Sequence, residues 1–208
     1  MKKVILSISA MLFAGVAAFA QANTSDVDQT GLLNGALVVQ VGEQNVSDVD
    51  QIGIANVSIV GQYGDNNDSQ ILQLGAGNLA VVTQIGNDNE SDIFQGFWVG
   101  NQAFVTQFGA DNSSDIYQLG DDNTAVTTQV GWLNNSITAQ AGYDNWANTE
   151  QYGIFNNAFT LQLGYDNMSS IQQYGIGNFA ATAQFGDSHN STVTQTGFLN
   201  GSLVIQSN

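Results

Sequence analysis

The side chains in this sequence that can make strong, directed interactions are mostly primary amides, and they are regularly spaced. Glutamines stand at Gln29, Gln40, Gln51, Gln62, Gln73, Gln84, Gln95, Gln107, Gln118, Gln129, Gln140, Gln151, Gln162, Gln173, Gln184, Gln195 and Gln206. The step is eleven residues everywhere except the twelve between Gln95 and Gln107. Five residues after most of these comes an asparagine: Asn34, Asn45, Asn56, Asn67, Asn78, Asn89, Asn112, Asn123, Asn134, Asn145, Asn156, Asn167, Asn178 and Asn200. A primary amide both donates and accepts. Copies held at strand spacing can hydrogen-bond one to the next in a continuous ladder, and this pattern suits that chemistry. These Gln and Asn residues are the assigned ladder positions, with Gln95 and Asn101, which flank the longer step, left out.

Reactive chemistry has far less to work with. The lone histidine, His189, stands where an Asn is due, and there is no Cys. The only basic residues are Lys2 and Lys3, so nucleophile activation and oxyanion stabilisation by side chains lack their usual parts. No catalytic residue, cofactor or metal is assigned. Paired acids such as Asp48 and Asp50, and Asp121 with Asp122, are oxygen donors suited to Ca²⁺. The Gly-Gly-x-Gly-x-Asp repeat of Ca²⁺-binding β-rolls is missing, however, and a solvated acidic face is the better reading. Asn-x-Ser tripeptides such as Asn56-Val57-Ser58 are products of the repeat and receive no separate role.

The elements that carry the amides follow from spacing. Two residues after each Asn position comes a small residue (Ser47, Ser58, Ala80), and two further a β-branched one (Val49, Val60, Val82), then the next Gln. Small, branched and Gln side chains at a period of two share one face of a strand. The residues between them form an outer face, and the Gly two after Gln together with the Asn closes a tight turn. Two units make a coil of strand, turn, strand and turn, with the inner faces meeting. Stacked parallel and in register, the sixteen units give an all-β solenoid of eight coils, about 38 Å long at ~4.8 Å per coil.

A second pattern lies in the turns. Leu32-Leu33, Ile54-Ala55, Ala76-Gly77 and Phe97-Trp98 alternate with polar turns such as Glu43-Gln44 and Asp65-Asn66. After Asp121-Asp122 the phase inverts: Trp132-Leu133, Ile154-Phe155, Ile176-Gly177 and Phe198-Leu199 are now the apolar ones. Apolar turns are therefore expected on one edge up to Trp98 and on the opposite edge from Trp132. That expectation fails if Ile54 and Phe155 share an edge. The exposed aromatics Trp98, Trp132, Phe155 and Phe198 would mark lateral contact sites.

Residues 1–20 read as a secretory signal peptide: Lys2 and Lys3, an apolar run from Val4 to Ala17, and a small-x-small site at Ala18-Phe19-Ala20. Residues 21–28 read as a short leader and 29–208 as the repeat solenoid. Removal of 1–20 leaves 18 acids and no base, a net charge of 0 − 18 = −18. Such a chain is a poor ligand for nucleic acid, which is held by cations, and is not expected to insert into a membrane.

The units resemble the curlin repeat of bacterial curli subunits, Ser-x5-Gln-x-Gly-x-x-Asn-x-Ala-x3-Gln. Gln73-x-Gly75-x-x-Asn78-x-Ala80-x3-Gln84 matches its second part in full. The first part departs, because the residue six before Gln73 is Asn67, with Ser69 only four before. The short leader is a second departure from the family's longer Gly-rich export segment. The resemblance implies a secreted subunit of an amyloid surface fibre, assembling with itself head to tail for adhesion and biofilm matrix. It also implies partners: an outer-membrane secretion pore and a minor nucleator subunit. The absence of Lys and Arg after Lys3 favours a major subunit. The alternatives are the nucleator itself or a non-fibrous solenoid that binds ice or another ligand. An ice-binding array would need outward Thr, whereas Thr127, Thr138, Thr149 and Thr160 fall on inward positions.

Overall fold

A computed structural model describes residues 22–96 and 98–208; the expected signal peptide lies outside the described residues. The described chain is a β-solenoid of two parallel sheets. The odd sheet contains β1 (Thr24–Leu32), β3 (Val46–Ile54), β5 (Asp68–Ala76), β7 (Glu90–Gly96), β9 (Ser113–Asp121), β11 (Asn135–Tyr143), β13 (Asn157–Tyr165), β15 (Phe179–Asp187) and β17 (Gly201–Ser207). The even sheet contains β2 (Gly35–Val41), β4 (Val57–Asp65), β6 (Leu79–Asn87), β8 (Gln102–Ala110), β10 (Thr124–Trp132), β12 (Trp146–Ile154), β14 (Met168–Ile176) and β16 (Asn190–Phe198). Each strand pairs with the one a full coil away, so that Gln51 faces Gln73 and Val49 faces Ile71 in register.

The first strand is a correction to the sequence reading. Residues 24–28, expected to form a leader, pair in β1 with Val46–Asp50 of β3. Asn23, Ser25, Val27 and Gln29 keep the inward spacing of every later unit, so this segment can stack as the others do. The strand count among the described residues is therefore seventeen, or eight and a half coils.

The core is one side chain deep on each sheet. Ser or Ala, Val, Ile or Thr, and Gln from the two inner faces meet across it, and nearly all are buried between β3 and β16. In the first half the branched column is Val49, Val60, Ile71, Val82, Ile93, Val105 and Ile116, a continuous apolar cluster. From Thr127 to Thr160 that column becomes Thr, and a second apolar cluster resumes at Ile171 and Val193.

Turns run along two edges. Those leading from odd to even strands form edge one, and those from even to odd form edge two. Gly and a left-handed residue shape each turn. Gly64 has φ 124° and Asn66 φ 56°, but Phe155 and Leu199 occupy the same left-handed position at 58° and 54°. A bulky residue there is strained on its own. The stack offsets the strain with hydrogen bonds from these N–H groups to the previous coil, such as Phe155 N to Trp132 O at 3.0 Å.

Ile54 and Phe155 fall on opposite edges. Turn-to-turn bonds trace edge one through Ala55 N to Leu32 O and Gly77 N to Ile54 O, and edge two through Leu133 N to Ala110 O and Phe155 N to Trp132 O. The extra residue of the longer step is absorbed in the edge-one turn between β7 and β8, where Trp98 O accepts from Ala76 N. Register is kept on both sides, with the pairing offset one larger from Leu79↔Gln102 to Asn87↔Ala110.

Candidate functional site: amide ladders and two open ends

Every assigned Gln lies in one of two columns, one per sheet. In the odd sheet Nε2 of Gln29 donates to Oε1 of Gln51 (2.6 Å), Gln51 to Gln73 (2.8 Å), Gln118 to Gln140 (2.9 Å), Gln140 to Gln162 (2.8 Å), and Gln162 to Gln184 and Gln184 to Gln206 (both 2.8 Å). In the even sheet the chain runs Gln40, Gln62, Gln84, Gln107, Gln129, Gln151, Gln173 and Gln195 at 2.8–3.0 Å. Gln95 is a full member, accepting from Gln73 at 2.8 Å and donating to Gln118 at 2.9 Å, which corrects its omission. It belongs because the added residue follows it and leaves its own strand pairing unchanged.

The second Nε2 proton crosses the core. Gln62 Nε2 also donates to Val46 O of the opposite sheet at 2.8 Å and to Asn67 O at 3.1 Å. The same amide thus joins successive coils and clamps the two sheets. An orphaned buried amide would lose about 1–3 kcal/mol per unmet group, which makes the ladder an all-or-none device.

The Asn ladders run the other way. On edge two Asn45, Asn67, Asn89, Asn112, Asn134, Asn156, Asn178 and Asn200 each donate from Nδ2 to Oδ1 of the residue one coil earlier, at 2.8–3.3 Å. On edge one Asn56, Asn78, Asn101, Asn123, Asn145 and Asn167 do the same at 2.9–3.4 Å, beginning on Asn34. Asn101 is thus a second omitted member. His189 closes this column, its backbone N donating to Asn167 Oδ1 at 3.1 Å. Its Nε2 sits 3.1 Å from Phe185 O. A carbonyl only accepts, so this nitrogen carries the proton and Nδ1 is left as an acceptor in the neutral ring.

A third column was legible only in part. Glycines were expected for turn geometry, but they also set the spacing between coils. A Cβ on Gly64 would lie 2.0 Å from Gly86 O, and one on Gly153 would lie 1.9 Å from Gly175 O. Only the stacked structure reveals that clash.

The ladders reach both ends of the described solenoid with unmet groups of opposite sense. At the β1–β2 end Gln29 and Gln40 present Oε1, and Asn23 Nδ2 is buried without a partner. At the β16–β17 end Gln195 and Gln206 have only their backbone acceptors, Phe179 O and Asn190 O, leaving one Nε2 proton each for a further Gln. Asn200 Oδ1 and His189 Nδ1 are the matching acceptors there.

The outer faces differ by half. On the odd sheet Asp26 is stacked beside Asp48, Asp28 beside Asp50, and Asp92 beside Asp115. Burial, then the charges of Asp115, Glu90 and Asp68, raise Asp92 to about 6. Burial, followed by neighbouring acids, also raises Asp48, Asp68 and Asp115. Farther along the same sheet the outward residues are Ile137, Phe159, Leu161, Leu203 and Ile205. The even sheet reverses this, from Leu37, Ile59, Val81 and Phe104 to Asn148, Glu150, Thr192 and Thr194. No cluster of three or more metal-ligating side chains occurs among the described residues.

A parallel, in-register solenoid with buried amide ladders defines a cross-β repeat protein. The curlin associated repeat matches residues 64–96, 142–175 and 170–197, so both halves of the chain carry stretches similar to that repeat. Among curated proteins no relative matches.

Proposed function

We propose that this protein is the structural subunit of a secreted, curli-like surface fibre that grows by head-to-tail addition of copies. The observation that carries the reading is the complementarity of the ends: both Gln ladders offer acceptors at the β1–β2 end and donors at the β16–β17 end, and the edge-two Asn ladder offers the reverse. The described strands also carry neither Pro nor Lys, two residues that commonly blunt an edge. A contact between unlike ends does not close on itself, so it propagates. Adhesion and biofilm matrix are the roles this supports, with the major-subunit role favoured by the absence of cationic residues after Lys3. Export through an outer-membrane pore and initiation by a nucleator subunit belong to the same reading.

The test is to follow the purified protein for amyloid-dye binding and fibre diffraction. A meridional spacing near ~4.8 Å in fibres is the expected result. A protein that stays monomeric at high concentration overturns the proposal.

A further inference from the structure

The seventeen described strands end in a step: β17 tops the odd sheet, and the even sheet stops one strand earlier, at β16. Beside β17 and above β16 lies an open recess of about 490 Å³ lined by Thr192–Thr196, Ser202 and Val204. At the other end β1 extends half a coil beyond β2. We propose that each copy joins the fibre turned by half a turn about the solenoid axis, so that the incoming β1 fills the recess on β16 and the incoming β2 lies on β17. This rests on the fibre reading and specifies its junction.

Strand direction permits it. The two sheets run oppositely across the solenoid because each turn reverses the chain, and a half turn about the axis exchanges sheets and directions together. An unrotated copy would place β1 on β17 and leave the strand site above β16 empty.

Outer-face chemistry chooses the same arrangement. With the half turn, unit positions align Leu37 on Leu203 and Val39 on Ile205, while Asp26 and Asp28 meet Thr192 and Thr194. Unrotated, Asp26 and Asp28 would fall on Leu203 and Ile205, setting carboxylates against aliphatic side chains. The turns agree. Leu32 and Leu33, 57% and 70% exposed, would lie over Phe198 and Leu199, 72% and 82% exposed, so the barest apolar residues of the two ends cover one another. Inside, Gln29 would stack on Gln195 and Gln40 on Gln206. Asn23, whose Nδ2 is unpartnered, would lie over His189.

The phase change in the middle of the molecule then acquires a purpose. The outward apolar strip occupies the even sheet up to β10 and the odd sheet from β11. A half turn at each junction carries it straight from one copy's β17 to the next copy's β2. The strip stays unbroken across junctions and changes side only within a molecule.

Cysteine pairs test the junction, since the chain has no Cys of its own. Neighbouring strands at ~4.8 Å suit disulfide geometry. Fibres of the purified protein carrying D28C with T194C, both exposed positions, are oxidised, depolymerised in acid and read without reductant. The half turn predicts loss of the monomer band to covalent multimers, with D28C/I205C remaining monomeric and each single variant no larger than a dimer. Cross-linking through D28C/I205C, or none through D28C/T194C in fibres that form normally, overturns the half turn and leaves the fibre intact. Image reconstruction of unmodified fibres gives an independent check, because straight stacking of successive copies would overturn the proposal. A protein forming no fibre at all overturns both readings.

Discussion

The strands before β9 and those after β11 share the same inward amide, small-residue and glycine columns and carry opposite exteriors. Inward, Ser69 and Ser169, Ile71 and Ile171, and Gln73 and Gln173 occupy equivalent, buried positions. Outward, the odd sheet changes from Asp48 and Asp92 to Phe159 and Leu203, and the even sheet changes in the reverse sense. The contrast separates two jobs. The amide, small-residue and glycine columns specify the coil, and the outward positions specify which way round a coil presents itself.

The sharpest way to break this comparison is to attack the common interior in each half. Gly64→Ala and Gly153→Ala should be equally damaging, because each Cβ would meet the next coil's carbonyl. A loss of about 3 kcal/mol or more is expected in both, read by denaturant unfolding. Unequal losses would mean that the glycine column does not set the coil spacing equally in the two halves. Next come Gln62→Leu and Gln173→Leu. Each leaves one donor and one acceptor unmet along its column, at about 1–3 kcal/mol per group, and again both halves should respond alike.

The third prediction concerns a feature that only the first half has. Asp92 is raised to about 6 by burial and by Asp115, Glu90 and Asp68. Between the ordinary aspartate range and about 6 the folded protein holds protons that the unfolded chain releases. Stability is therefore greater at the acid end of that window and falls as pH rises through it. The melting temperature should drop between about pH 4.5 and about pH 7, and D92N/D115N should flatten the slope. Asp48, Asp68 and Asp115 are shifted in the same direction and add to the effect. Beyond β11 the outward positions of the odd sheet include Phe159 and Leu203, and substitutions at these two should leave the slope unchanged.

The smallest effects lie in the core hydroxyls. Thr160 Oγ1 and Ser69 Oγ are buried without partners. Thr160→Val and Ser69→Ala should each raise stability by about 1 kcal/mol, measured by denaturant midpoint. A decrease would mean that these hydroxyls are engaged in solution.

Much of this was readable beforehand, for a physical reason. Alternation of period two fixes which side chains face inward, and an eleven-residue step fixes which of them stack, so the Gln and Asn columns and the inverted turns follow from counting. What escaped was whatever depends on the third dimension. Residues 24–28 of β1 read as a leader because they hold no clear copy of the motif, although Asn23, Ser25 and Val27 carry its inward signature. Gln95 and Asn101 were left out because twelve residues looks like a break, whereas the chain pushes the surplus into a turn. The opposed directions of the two ladders, the space denied to a Cβ at Gly64 and the raised Asp92 all arise from neighbours a full coil away.

The eleven-residue unit also has a genetic consequence. One unit is half a coil, so gaining or losing a single unit leaves every downstream core residue in an equivalent slot but transposes every downstream outward residue to the opposite face. The inversion at Asp121 and Asp122 has the form of one such slip. In this architecture a duplication or deletion of thirty-three nucleotides acts as a side-selector, rewiring the surface of half a molecule without touching its interior.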